Sequence, residues 1–210
     1  MSYFWHCSYP KKETIRNNLN TKYQKYFFLK KKWKQFYEAE ILIIDNKLFK
    51  NQNIIEKFKR LPNTKILILR NTSLTKLPDL PKLKKLYSCN SNLEKLPELP
   101  NCTHIDVCFN NLRELRHLPK CKTILCEYNK IESIQNIRKC RKLICNDNKL
   151  KTLPSLPNCH IINCSNNLLH HVPYLNKCKL LILKNNPIHK IIINNSCNIQ
   201  FNGKNTLETL

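Results

Sequence analysis

The sequence predicts an α/β repeat solenoid. Short parallel strands line its concave face, its convex side is extended and polyproline-like, and a helical cap covers its N-terminal end. Three observations carry that prediction. Cys102, Cys121, Cys140, Cys159, Cys178 and Cys197 follow one another at 19-residue intervals, and self-similarity at a fixed period marks a repeat architecture. Apolar columns keep the same register. The fourth position holds Leu67, Leu86, Ile105, Ile124, Leu143, Ile162 and Leu181, then Gln200, and the eleventh holds Leu74 through to Leu207. The fourteenth position holds Leu77, Leu96, Leu115, Ile134, Leu153, Val172, Ile191 and Leu210. The ninth position holds Thr72 and Ser91, then Asn110, Asn129, Asn148, Asn167, Asn186 and Asn205.

Carried back to Leu83 and Thr64, the period divides residues 64–210 into eight units starting at 64, 83, 102, 121, 140, 159, 178 and 197. Residues 38–63 form a longer first unit that puts Ile41, Ile43, Asn46 and Leu48 in the same columns. Its extra segment, "NQNIIEKFKRL", spaces Ile54, Ile55, Phe58 and Leu61 as a helix would, which predicts a helix on the convex side. Residues 1–37 are basic and aromatic. Ile15, Leu19, Tyr23, Tyr26, Phe27, Trp33 and Tyr37 share one helical face over about residues 13–37. The end of an array exposes core, so this helix is expected to cap it; the alternative is a basic amphipathic helix lying on a membrane. Leu210 closes the last apolar column, leaving that end to fray, to pair with a partner or to have been cut short.

In each unit the first residues suit a strand stacked on its neighbours at about 4.8 Å. The asparagine can satisfy backbone groups where the chain turns away. Pro78, Pro97, Pro154 and Pro173 follow the last apolar column and favour an extended return. A return without a helix needs few residues, which accounts for the short period.

The unit reads C-x-x-I-x-C-x-x-N-x-L-x-x-L-P-x-L-P-x. It resembles the leucine-rich repeat, and its Leu-Pro-x-Leu-Pro tail is similar to the short repeats of secreted bacterial effector proteins, over about residues 38–210. The resemblance implies a parallel-strand solenoid that binds another protein. The unit is shorter than is usual in that subfamily. The ubiquitin-ligase domain of many such effectors has no room here, so that activity is not carried over. Large DNA viruses of protists encode many such repeats, and the Lys-, Asn- and Ile-rich, Gly-poor composition suggests an AT-rich genome of that kind.

The cysteines read as core. Cys102 to Cys197 fill the first, inward-facing column, and Cys126, Cys145 and Cys164 fill the sixth. Free thiols pack as small hydrophobes. Disulfides along the ladder are disfavoured, because strand spacing exceeds the Cβ separation a bridge needs. Metal is also disfavoured, since these cysteines are spread along an axis rather than clustered at zinc-site spacing. No cofactor is expected. Cys89 and Cys108 occupy the seventh, concave position and are expected to be exposed neighbours on adjacent strands.

The concave face is expected to carry Ile66, Ile68, Tyr87, Asp106, Phe109, Leu125, Tyr128, Ile144, Ile161, Asn163 and Ile182. A solvated sheet face should be mostly polar, and this one is apolar along much of its length, which suits an interaction surface. The 37 Lys and Arg against 14 Asp and Glu give a net charge of +23. Lys65, Lys82, Lys84, Lys120, Lys122, Lys139, Arg141, Lys177 and Lys179 flank the first column and should form one basic edge.

Function follows in outline. No run of about 18 apolar residues crosses a membrane. The start "MSYFWHCSYPKKETIR" lacks the apolar run of a signal peptide. Twelve cysteines without such a signal suit the reducing cytoplasm or nucleus. The histidines are scattered and acidic residues are too few to suggest paired carboxylates, so no catalytic constellation is expected. The expected role is protein–protein interaction through the concave face, with no small-molecule substrate. The alternatives are binding of nucleic acid or anionic membrane through the basic edge and N-terminal helix, and substrate recognition for ubiquitination.

Overall fold

The computed structural model describes residues 37–45, 55, 58–193, 197–201 and 206–209. In chain order the strands are β1 (Ile41–Asp45), β2 (Ile66–Arg70), β3 (Lys85–Tyr87), β4 (His104–Asp106), β5 (Glu114–Leu115), β6 (Thr123–Leu125) and β7 (Ser133–Ile134). After them come β8 (Lys142–Ile144), β9 (Ile161–Asn163), β10 (Leu180–Ile182), β11 (Lys190–Ile193), β12 (Asn198–Gln200) and β13 (Thr206–Thr209). Nine of them form one parallel sheet, ordered β1-β2-β3-β4-β6-β8-β9-β10-β12. From β2 to β10 each strand pairs with the next at an offset of 19 residues, as in Leu86 with Ile105 and Ile105 with Ile124. The periodicity of the sequence is thus the pairing register of the sheet.

The inward columns form one continuous core. Leu86, Ile105, Ile124, Leu143, Ile162 and Leu181 are fully buried from the fourth column, with Leu83 and Cys102 through Cys159 from the first. A further buried column runs along the return path: Leu80, Leu99, Leu118, Ile137, Leu156 and Leu175. The residue three places after each of these, from Leu83 to Cys178, donates its N–H back to that residue's carbonyl, which turns the chain into the next strand. The first-column thiols are more than apolar filler. Cys102, Cys121 and Cys140 each donate an S–H at 3.2 Å to the carbonyl two residues on, in their own strand.

Proline placement decides where a second ladder forms. Units with Leu-Pro at positions 14 and 15 have no strand there, because proline has no N–H to donate. The units starting at 102 and 121 carry Arg116 and Gln135 instead. There β5 and β7 pair, and the Gln135 N–H donates to the Leu115 carbonyl at 2.9 Å. Gln135→Pro is expected to remove that bond and lower stability by about 1 kcal/mol, read as a lower urea midpoint; an unchanged midpoint would show that the ladder contributes nothing.

The register departs from the period at the C-terminal end. Leu181 pairs with Ile199, so the last strand comes one residue early; Ile199, rather than Gln200, packs against the core. On the return side Ile191 pairs with Leu207, not with Leu210. Ile199 is the more apolar choice for the inward column, so burial outweighs strict periodicity. Most of the predicted convex helix, residues 51–54, 56 and 57, lies outside the described residues. Ile55, Phe58 and Leu61 are buried, the Phe58 N–H donates to the Ile55 carbonyl, and further on Arg60 bridges Asp79 and Leu61 donates to the Asp79 carbonyl. The N-terminal cap, Asn46 and Asn205 lie outside the described residues.

Candidate functional site

The concave face begins where each strand ends. The units starting at 64 through 178 make the same turn, and the eighth residue takes a left-handed backbone: Asn71, Asn90, Phe109, Tyr128, Asp147, Asn166 and Asn185 all have φ between 52° and 57°. Asparagine and aspartate tolerate this region, while other L-residues pay roughly 1–2 kcal/mol for it. The ninth residue holds the turn. Asn148 donates its Nδ2 to the carbonyls of Cys126, Cys145 and Asn146, and its Oδ1 accepts the Ile131 N–H. Asn110, Asn129, Asn167 and Asn186 repeat that set. Where the column has Thr72 and Ser91, the two hydroxyls bond each other at 2.7 Å.

Phe109 and Tyr128 stand at the strained eighth position without the side-chain amide that suits it. Their rings stack with centroids 4.4 Å apart and planes 8° apart, and both remain exposed, at 41% and 48%. Asp147 follows Tyr128 in the column, and its carboxylate and that of Glu127 lie close enough to act on the phenol.

The rest of the face divides in two. Leu125, Ile144, Ile161, Asn163, Ile182 and Ile66 are half-buried and reachable from solvent. Ile68, Tyr87 and Asp106 are buried, contrary to the expectation that they belong to an open surface. They are register partners across β2, β3 and β4, and the Tyr87 ring leans on His104 at 5.0 Å, so large side chains on adjacent strands cover one another. Cys89 and Cys108 were expected to be exposed; both are buried, and both donate to Asp106 Oδ1, at 2.8 and 3.1 Å. Alternation along a strand says which face a residue points to, not whether its neighbours cover it.

Lys65, Lys82, Lys84, Lys120, Lys122, Lys139, Arg141, Lys177 and Lys179 are all exposed. Several lean on an asparagine one unit back: Lys82 on Asn63, Lys120 on Asn101 and Lys177 on Asn158. Lys65 pairs with Glu40 at 2.6 Å, both half-exposed, and exposed pairs of this kind are weak.

Two phenols are held protonated. Burial pushes Tyr87 above the ordinary tyrosine value, with the Asp106 carboxylate adding to the effect. Tyr128 is raised chiefly by the Asp147 carboxylate. An unfolded chain would ionise these groups first as pH rises. Their contribution to stability is therefore present below the ordinary value of 10.0 and is lost as pH climbs through the raised native values. Asp147→Asn is expected to bring the Tyr128 titration down toward that ordinary value, as followed by phenolate absorbance; no movement would show that Asp147 does not set it.

Stacked 19-residue turns, each giving one parallel strand and one backbone-binding asparagine, define a leucine-rich repeat solenoid. The comparison with solved structures agrees. The fold is similar to that of YopM, a leucine-rich effector protein from Yersinia pestis, with a TM-score of 0.56 and 26% identity over 68% of this chain and 50% of that one. The chain thus spans about half the length of YopM. No protein-family model and no curated protein sequence matches the chain.

Proposed function

We propose that this protein is a non-enzymatic interaction module that binds another protein through its concave face, with the Phe109–Tyr128 stack as the centre of contact. A leucine-rich repeat solenoid suits protein interaction in general. The observation that favours this particular site is the exposed aromatic pair held at two left-handed positions where the rest of the column has asparagine or aspartate. Strain kept at an exposed position points to function rather than packing. Stacked aromatic faces beside carboxylates suit a cationic side chain of the partner. Leu125, Ile144, Ile161 and Ile182 extend the contact along the sheet. Binding in the cytoplasm or nucleus accords with the many thiols.

The test is affinity capture from cell lysate at low and then high salt, with wild type, Phe109→Asn/Tyr128→Asn and Lys120→Glu/Lys122→Glu/Lys139→Glu compared. A protein that survives the salt wash and is lost only from the aromatic variant supports the proposal. Nucleic acid or lipid that elutes with salt and is lost only from the lysine variant would replace it with binding through the basic edge.

A further inference from the structure

Cys89, Asp106 and Cys108 form a cluster that the binding role does not use. Residues 87 and 106 are register partners, and the ladder continues past them: Ser88 donates to the Asp106 carbonyl and Asn90 to that of Cys108. That pairing places Cys89 beside Cys108, with Asp106 one step back on the same face as Cys108. The two Sγ atoms and a carboxylate oxygen all lie within 4.8 Å of one another, and all three residues are buried.

The electrostatics of this cluster are incomplete. Asp106 is 1% exposed. Among the described residues no cation pairs with it, and its side-chain donors are the two thiols, which are weak donors. A buried carboxylate needs a paired charge or a metal ion. A second buried group is also unsatisfied: His104 Nε2 has no hydrogen-bond partner among the described residues. His104 lies two residues before Asp106 on β4 and so projects to the same face.

We propose that Cys89, Cys108 and Asp106 bind a zinc-type divalent cation, with water completing the shell. Two thiolates and a carboxylate are a donor set zinc accepts. Binding replaces the two S–H···O contacts with metal–sulfur bonds, and the two thiol protons leave to solvent. The cation supplies the positive charge that Asp106 otherwise lacks. It also ties β3 to β4 directly beneath the Phe109 turn, so occupancy would brace the exposed stack.

The experiment uses the full chain, reduced and stripped with a chelator, then titrated with Co2+ and with Zn2+. One equivalent of Co2+ should produce a thiolate-to-cobalt charge-transfer band, reversed by Zn2+, with about two protons released per metal at a pH where free thiols are protonated. X-ray absorption of the zinc form should show two sulfur scatterers at about 2.3 Å, the rest being light atoms. Cys89→Ser and Cys108→Ser should each abolish the band, and Asp106→Asn should weaken binding at least tenfold. Absence of the band in the wild-type chain would overturn the proposal. So would three or four sulfurs in the zinc spectrum, or a band that persists in both serine variants, since the cation would then sit on other thiols. The wild-type spectra decide the matter even where a variant fails to fold.

Discussion

Asn148→Ala is expected to destabilise the array by about 3–5 kcal/mol, among the larger effects a single substitution produces. The side chain is buried and serves four backbone groups: the carbonyls of Cys126, Cys145 and Asn146 and the N–H of Ile131. Those groups lie in two adjacent units, so one amide ties a turn to the strand behind it. Alanine leaves them without partners, and each orphaned buried group costs roughly 1–3 kcal/mol, less whatever water recovers. Asn148→Asp separates hydrogen bonding from shape. It keeps an acceptor for Ile131 but turns oxygen toward three carbonyls, so it should be at least as damaging. Urea unfolding followed by circular dichroism reads both variants. A loss below about 1 kcal/mol for alanine would mean that the ladder is dispensable and that apolar stacking alone holds the units together.

Phe109→Asn/Tyr128→Asn is expected to lower partner affinity at least a hundredfold while leaving the fold as stable as before, or more so. Asparagine is the residue the same column uses at Asn71, Asn90, Asn166 and Asn185. The substitution should therefore relieve part of the roughly 1–2 kcal/mol that each aromatic residue pays for its left-handed backbone. Truncating aromatic side chains at the centre of an interface typically costs at least about 2 kcal/mol of binding each. The two effects have opposite signs, which separates lost contact from misfolding. A double variant that binds normally would remove the stack from the interface. A double variant that unfolds would show that the rings support the turn, and that their exposure misleads.

The two predictions rest on adjacent columns that were unequally visible in the sequence. The asparagine ladder was legible because one backbone geometry repeats every 19 residues and demands one side chain. The inward columns were legible for the same reason: each unit buries its apolar positions only against its neighbours, so the pattern must stay in step. The eighth column gave a weaker signal. Phe109 and Tyr128 could be assigned to the concave face, but their parallel stacking and positive φ emerge only in the folded chain. The buried column from Leu80 to Leu175 is also present in the sequence, as the second leucine of Leu-Pro-x-Leu-Pro and its counterparts.

The sequence by itself determined the period, the strand register through most of the array and the core columns. All of these follow from local spacing copied from unit to unit. The tertiary structure decided what depends on neighbours across strands. It closed Ile68, Tyr87 and Asp106 away from solvent, and it brought Cys89 and Cys108 onto one carboxylate. It also moved the final strand one residue early, to bury Ile199. Alternation along a strand specifies direction. Burial, convergence of donors and the best register at an array's end depend on side chains from other units, whose sizes vary where the repeat does not.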